Sequence, residues 1–129
     1  MTDAHALIWA ATGQLKRLGR VARRFYERVN DRRALLYVPT IALVEIGEAH
    51  HAGHFSLGMP FDHWLTRLLG SGQYVAADLT PEVVARAQQL FAIPERGDRL
   101  IAATASVLDL PLITRDESIS DAAAVDCLW

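Results

Sequence analysis

Short apolar runs separated by helical patterns constrain this chain more than any other feature. Residues 34–38 (ALLYV), 73–77 (QYVAA), 111–114 (PLIT) and 123–127 (AAVDC) read as strands. Between them lie segments with helical spacing. Residues 4–10 follow Asp3 as N-cap. Residues 18–31 place Leu18, Val21, Ala22, Phe25 and Val29 on one face. Residues 41–51 follow Thr40 as N-cap and stop before Gly53, and residues 61–69 are closed by Gly70 and Gly72. Thr80-Pro81-Glu82-Val83 is a helix start that should run to about Phe91. Residues 98–108 form a further helix, and Asp116 begins one more turn. Strands joined through helices need crossover connections, which pair strands in parallel with helices on both faces. The expected class is therefore α/β, a three-layer α/β/α arrangement. With 129 residues the chain has room for one core, so 1–129 is read as a single domain.

Ligands of such sheets bind beyond the carboxyl ends of the strands. That rule sorts the acidic residues. Asp3 precedes the first helix, and Glu45 lies inside the helix after ALLYVP. Asp98 opens the IAATA helix, and Asp116 follows the strand LIT by two residues. Each aspartate taken singly is an ordinary helix cap. Glu45 is different, because it interrupts the apolar turn Ile41-Ala42-Leu43-Val44-Glu45-Ile46, where a charge needs a partner. Four carboxylates brought together repel unless cations lie between them. All-oxygen donors select Mg2+ or Mn2+, and a pair of such ions suits displacement at phosphorus. Thr114, two residues before Asp116, is placed to orient a carboxylate or a water.

These residues fall in motifs. Asp3-Ala4-His5-Ala6-Leu7-Ile8-Trp9, Val38-Pro39-Thr40-Ile41-Ala42-Leu43-Val44-Glu45-Ile46, Gly97-Asp98-Arg99-Leu100-Ile101-Ala102-Ala103-Thr104-Ala105 and Leu110-Pro111-Leu112-Ile113-Thr114-Arg115-Asp116 span essentially the whole chain. Together they resemble the PIN-domain ribonucleases, most closely the VapC toxins of bacterial toxin–antitoxin pairs. The resemblance implies a parallel sheet ordered 3-2-1-4-5. It also implies metal-dependent endoribonuclease activity leaving a 5′-phosphate and a 3′-hydroxyl, and inhibition by an antitoxin. It places the metal site on Asp3, Glu45, Asp98 and Asp116, with Thr114 as the small hydroxyl beside the fourth acid. Three departures stand out. Only Met1 and Thr2 precede Asp3, so the central strand is cut to a stub unless the frame begins upstream. Ala4 replaces a usual Thr. Glu95-Arg96-Gly97-Asp98 replaces a usual Asp-Pro-x-Asp, with Glu95 standing in for its first acid.

Net charge is −2, from 13 basic and 15 acidic residues, which does not mark a nucleic-acid binder. The distribution is more informative. Lys16, Arg17, Arg20, Arg23, Arg24, Arg28, Arg32 and Arg33 hold eight of the 13 basic residues. A solvated helix face explains them as well as a phosphate-binding ridge does. On the second reading Arg20, Arg23, Arg24 and Arg28 capture RNA. The single lysine, Lys16, sits early in the chain. Phosphoacceptor receiver domains and haloacid-dehalogenase-type phosphatases need a late lysine, so both are disfavoured. The remaining alternative is a degenerate, non-catalytic PIN-fold binding module.

Other clusters read as structural. His50, His51 and His54 sit at a polar helix end, where histidine suits the dipole. His5 reads as a packing residue or as one that supports the acidic site from behind, rather than as a catalytic base, and Cys127 as a core filler in a reducing compartment. No apolar run approaches the roughly 20 residues of a membrane helix, and the basic flank of a signal peptide is missing, so a cytoplasmic location is expected. Phe61, Trp64, Leu65 and Leu68 read as an apolar stripe of one helix, hence a homodimer surface. The segment 50–60 reads as flexible and as the docking place of an antitoxin peptide.

Overall fold

The computed structural model describes residues 1–129. Eight helical segments alternate with short parallel strands. Strand β1 (Leu36–Pro39) pairs with β2 (Tyr74–Ala77), with Leu36 opposite Tyr74 and Pro39 opposite Ala77. Strand β3 (Leu112–Ile113) pairs with β4 (Cys127–Leu128). The fold is α/β, as the alternating pattern predicts.

One regular five-stranded sheet is not what the backbone forms. The ladder divides into two parallel pairs, and Thr2 makes only an isolated parallel bridge to Ile113. The N-terminal residues nevertheless lie between the pairs. Thr2 N donates to Tyr37 O at 3.0 Å on one side. On the other, Asp3 N donates to Ile113 O at 3.1 Å and Ile113 N to Met1 O at 2.9 Å. The segment stops there because Asp3 leaves the extended path to cap the next helix. Thr2 is fully buried, and its hydroxyl lies 2.7 Å from the Tyr26 hydroxyl.

The helices are α1 (Ala4–Ala11), α2 (Arg20–Asn30), α3 (Thr40–His51), α4 (Phe61–Gly70), α5 (Pro81–Ala87), α6 (Arg96–Val107) and α7 (Glu117–Asp121). A single 3-10 turn, Leu15–Arg17, precedes α2. Capping chemistry fixes several of these starts. Asp3 accepts from Ala6 N, Thr80 from Val83 N with Pro81 following, and Asp116 from Ser118 N and Ile119 N. Helix α3 ends at His51 with Ala52 as its C-cap, and Gly53 takes the left-handed conformation at φ 76°. In the core, α5 packs on α6, α6 on α3, α3 on α1, and α4 on β2.

Several expectations are corrected by packing. Pro39, at φ −57° and ψ 135°, takes the N-cap position of α3 in place of Thr40. The Thr40 hydroxyl instead accepts from Leu79 N at 3.2 Å, tying α3 to the chain after β2. Helix α2 starts at Arg20, and its buried face is Ala22, Tyr26 and Val29, leaving Val21 exposed. Gly19 precedes it because Trp129 is pressed against that position: a Cβ there would overlap the Trp129 main chain and ring. Helix α5 stops at Ala87, and turns carry the chain through the buried Leu90 and Ile93 to α6. Ala123 is left-handed at φ 48°, which delays the last strand to Cys127.

The apolar stripe of α4 faces inward. Trp64 is buried, and Phe61, Leu65 and Leu68 pack against the core. The Phe61 ring sits on Gly47 of α3, where a Cβ would stand 3.2 Å from it. Trp64 is thus withdrawn from the surface, and Phe61, Leu65 and Leu68 are half-buried, so only part of this stripe is left exposed. Phe55, Leu57 and Met59 also pack against the core, so the segment 50–60 is anchored rather than free.

Candidate metal centre

The carboxyl ends of the strands and the helices that follow them bring the four acids to one side of the molecule. Asp3 is held twice by backbone: its N–H donates to Ile113 O, and its Oδ1 accepts from Ala6 N at 2.7 Å. Only 6% of it is exposed. Asp116 follows β3, and its N–H donates to the Thr114 hydroxyl at 3.0 Å. Ser118 N at 2.8 Å, Ser118 Oγ at 2.6 Å and Ile119 N at 3.3 Å all donate to Asp116 Oδ1. Oδ2 therefore stays free of these bonds. Asp98 sits in the first turn of α6. Glu45 reaches from α3 to the same turn, where its carboxylate lies against Gly97. A Cβ at Gly97 would overlap Glu45 Oε1 and stand 2.9 Å from its Cδ. Glycine at 97 is what lets the Glu45 carboxylate reach the start of α6.

Two cavities adjoin here. One, of about 470 Å³, is lined by Asp3, Asp98, Asp116, His5, Glu95 and Arg115 among others. The second, of about 290 Å³, is lined by Glu45, and shares Asp98, Glu95 and His5 with the first. The four predicted acids thus line two adjoining cavities, Asp3, Asp98 and Asp116 in one and Glu45 and Asp98 in the other, and Thr114 is buried beneath them. The cleft also engages Glu95 and His5. Exposed His5 does not pack away into the core: it lines both cavities, although its ring approaches Trp9 at 5.9 Å.

The electrostatics are those of like charges in a recess. Burial, then the charges of Asp98 and Asp3, raises the Glu45 carboxyl to about 7. Burial, then Asp116 and Asp3, raises Asp98. Asp3 is raised chiefly by burial, with the Ala6 N–H and the Thr114 hydroxyl pulling the other way. For Asp116, burial pushes upward but is outweighed by the Ser118 and Ile119 donors, and its carboxyl falls below the usual range. None of the four forms an ion pair with a protein cation: the two ion pairs in the structure are Arg33–Asp31 and His63–Asp62.

This donor set fits a hard divalent cation. It is all oxygen, it is negative, and no lysine or arginine forms an ion pair with it. No three acidic, histidine or cysteine side chains converge on a single point. The chain therefore carries no closed cage of the structural-zinc kind. Mg2+ keeps several of its waters and is commonly held by one or two carboxylates, which this open arrangement suits.

The PIN domain family model matches residues 1–125. The chain belongs to the PIN domain family. PIN domains are in general nucleases that act on RNA and use divalent metals. No match was found among curated proteins. The acidic cleft of this PIN domain lies where an α/β fold places its ligands. No helix is long and apolar enough to cross a membrane.

The basic residues fall in two places. Arg20, Arg23, Arg24 and Arg28 are all exposed on α2. Arg24 and Arg28 line a separate polar hollow with Glu27, Asn30, Asp31 and Arg33, which shares no residue with the acidic cleft. The cation inside the cleft is Arg115, between Thr114 and Asp116. A basic residue directly before the last acid was the available signal. The three clustered histidines do not converge: His50 Nδ1 lies 3.4 Å from Phe55 O, and its ring packs on Phe55.

Proposed function

We propose that this PIN domain is a divalent-metal-dependent endoribonuclease and the toxin of a toxin–antitoxin pair, acting in the cytoplasm. The observation that carries the proposal is the acidic cleft: Asp3, Glu45, Asp98 and Asp116 line adjoining cavities, and no protein cation pairs with them. The toxin role rests on the resemblance of the four motifs to VapC proteins. Residues 1–3, hydrogen-bonded to both strand pairs, would serve as the central strand of a 3-2-1-4-5 order.

Asp3, Glu45, Asp98 and Asp116 would hold Mg2+ or Mn2+. When bound, such ions polarise the scissile phosphate and make an attacking water more acidic. The chain's own work is positioning. Asp3 is locked by backbone on both sides. Asp116 presents its free Oδ2, because the α7 cap occupies only Oδ1. Thr114 holds the Asp116 backbone and favours the charged form of Asp3. Gly97 admits the Glu45 carboxylate.

The test is cleavage of single-stranded RNA by the purified chain. Cleavage is expected with Mg2+, is abolished by chelation, and is lost in Asp98→Asn. Cleavage that survives both chelation and Asp98→Asn refutes the metal-site reading. An inert parent chain that still binds RNA with Mg2+ present would favour the non-catalytic module. The toxin role predicts that expression arrests growth and that the product of an adjoining reading frame relieves it. A homodimer, implied by the same resemblance, is checked by sedimentation.

A further inference from the structure

We propose that Arg115 and Arg17, both laid on the indole of Trp9, form a seat for the RNA phosphates that flank the bond to be cut. This deepens the nuclease reading and rests on it. The Arg115 guanidinium carbon lies 4.7 Å from the Trp9 ring centre, and that of Arg17 lies 5.2 Å from the same ring. Trp9 itself is buried at 5% exposure and braced edge-on by Trp129 at 5.8 Å. A buried, braced ring is a fixed platform, so two flexible cations inherit a defined position.

Arg115 is the telling member. It lines the same cavity as Asp3, Asp98, Asp116, Glu95 and Glu117. An arginine among so many acids would be expected to fall onto one of them. It forms no ion pair, and its guanidinium donates no hydrogen bond within the protein. The indole holds it off the carboxylates with its donor fork unspent. A planar fork of N–H groups recognises phosphate oxygens in a bidentate manner. Arg17 is nearly as free: its one side-chain bond is Nη1 donating to Gln14 Oε1 at 3.1 Å. Through the shared ring the two cations lie at most about 10 Å apart, close enough for one strand to touch both. The acids repel an RNA backbone wherever metal does not screen them. A cation held at the cleft and a second beyond the indole give that backbone a path into it. The occupant is thus the backbone of a single strand, recognised by phosphate and not by base.

The experiment measures binding, not cleavage. A short fluorescein-labelled single-stranded RNA is titrated in EDTA against the full chain carrying Asp98→Asn, which silences cleavage and removes one repelling charge. Salt is varied between about 50 and 200 mM. Arg115→Ala should weaken binding about tenfold at low salt and lower the salt slope by about 0.7, the value of one single-strand phosphate contact. Arg17→Ala with Arg115→Ala should lower it by about twice that. Arg115→Lys should restore the slope, because charge sets it, but only part of the affinity, because lysine lacks the fork. Both positions are exposed, and unchanged melting temperatures would show that the fold is intact. Parent-like affinity and slope in the double variant overturn the seat, as does an Arg115→Lys slope no better than that of Arg115→Ala. If Mg2+-loaded parent chain still cleaves RNA in that event, the nuclease reading stands alone. A parent that neither binds nor cleaves RNA overturns both.

Discussion

Replacing Gly97 by Ala should separate the stability of this protein from its metal binding. Gly97 is the second residue of α6. Glycine inside a helix is less favourable than alanine by up to about 1 kcal/mol. On propensity alone, Gly97→Ala is therefore stabilising. The new Cβ, however, would overlap Glu45 Oε1 and press on its Cδ at 2.9 Å. The obstructing atoms are the end of a flexible side chain, so Glu45 swings away and the backbone stays. The helix gains what alanine gives, and a half-buried carboxylate escapes its like-charged neighbours Asp98 and Asp3. In EDTA the melting temperature should hold or rise by a few degrees, since about 1 kcal/mol corresponds to roughly 4 °C for a domain of this size. With Mg2+ the outcome reverses. Glu45 is no longer in place, so the rise in melting temperature on adding Mg2+ should shrink. RNA cleavage should fall about 100-fold, the scale of a misplacement near 1 Å. Differential scanning fluorimetry with and without Mg2+, beside an RNA cleavage assay, reads all three quantities. A variant that is clearly destabilised in EDTA yet keeps the parent's Mg2+ shift and cleavage would refute this account of Gly97 and Glu45.

Asp98→Asn removes a repelling charge and should leave stability equal or higher, whereas Asp116→Ala removes the α7 cap and should cost about 1 kcal/mol; urea midpoints in EDTA check both, and equal destabilisation by the two would show that Asp98 is structural. The raised Glu45 carboxyl binds a proton more tightly folded than unfolded, so without metal its contribution to stability is present below the ordinary 4.5 and is lost as pH rises through about 7. Denaturation from pH 4 to pH 8 in EDTA should therefore show a decline that Glu45→Gln flattens, and an unchanged profile in that variant would contradict the assignment. Tyr26→Phe removes the buried hydroxyl bonded to Thr2 and should lower stability by about 1 kcal/mol, read as a shifted urea midpoint; no shift would mean that the pair does not hold the N-terminal segment.

Local chemistry carried much of this protein in its sequence. Caps act over two or three residues, so Asp3 before α1, Thr80-Pro81 before α5 and Asp116 before α7 were legible without any tertiary information. Parallel pairing followed from strands separated by helices. The four acids followed from their place after strands and from the apolar setting of Glu45. What faces what was a different matter. Thr40 had the look of a cap, but Pro39 holds that position and the Thr40 hydroxyl serves Leu79, 39 residues away. The α4 stripe read as an outer, dimer-forming face, yet Phe61 lays its ring on Gly47 of α3. Arg24 and Arg28, two of the four arginines expected to meet RNA, line their own hollow, and Arg115 and Arg17, far apart in sequence, meet on Trp9. Periodicity specifies which side chains share a face, and capping specifies where a helix begins. Neither specifies which face another element will cover. That is settled by close packing of the whole chain, and here it decided that Gly97 receives Glu45 and that an arginine stands free among carboxylates.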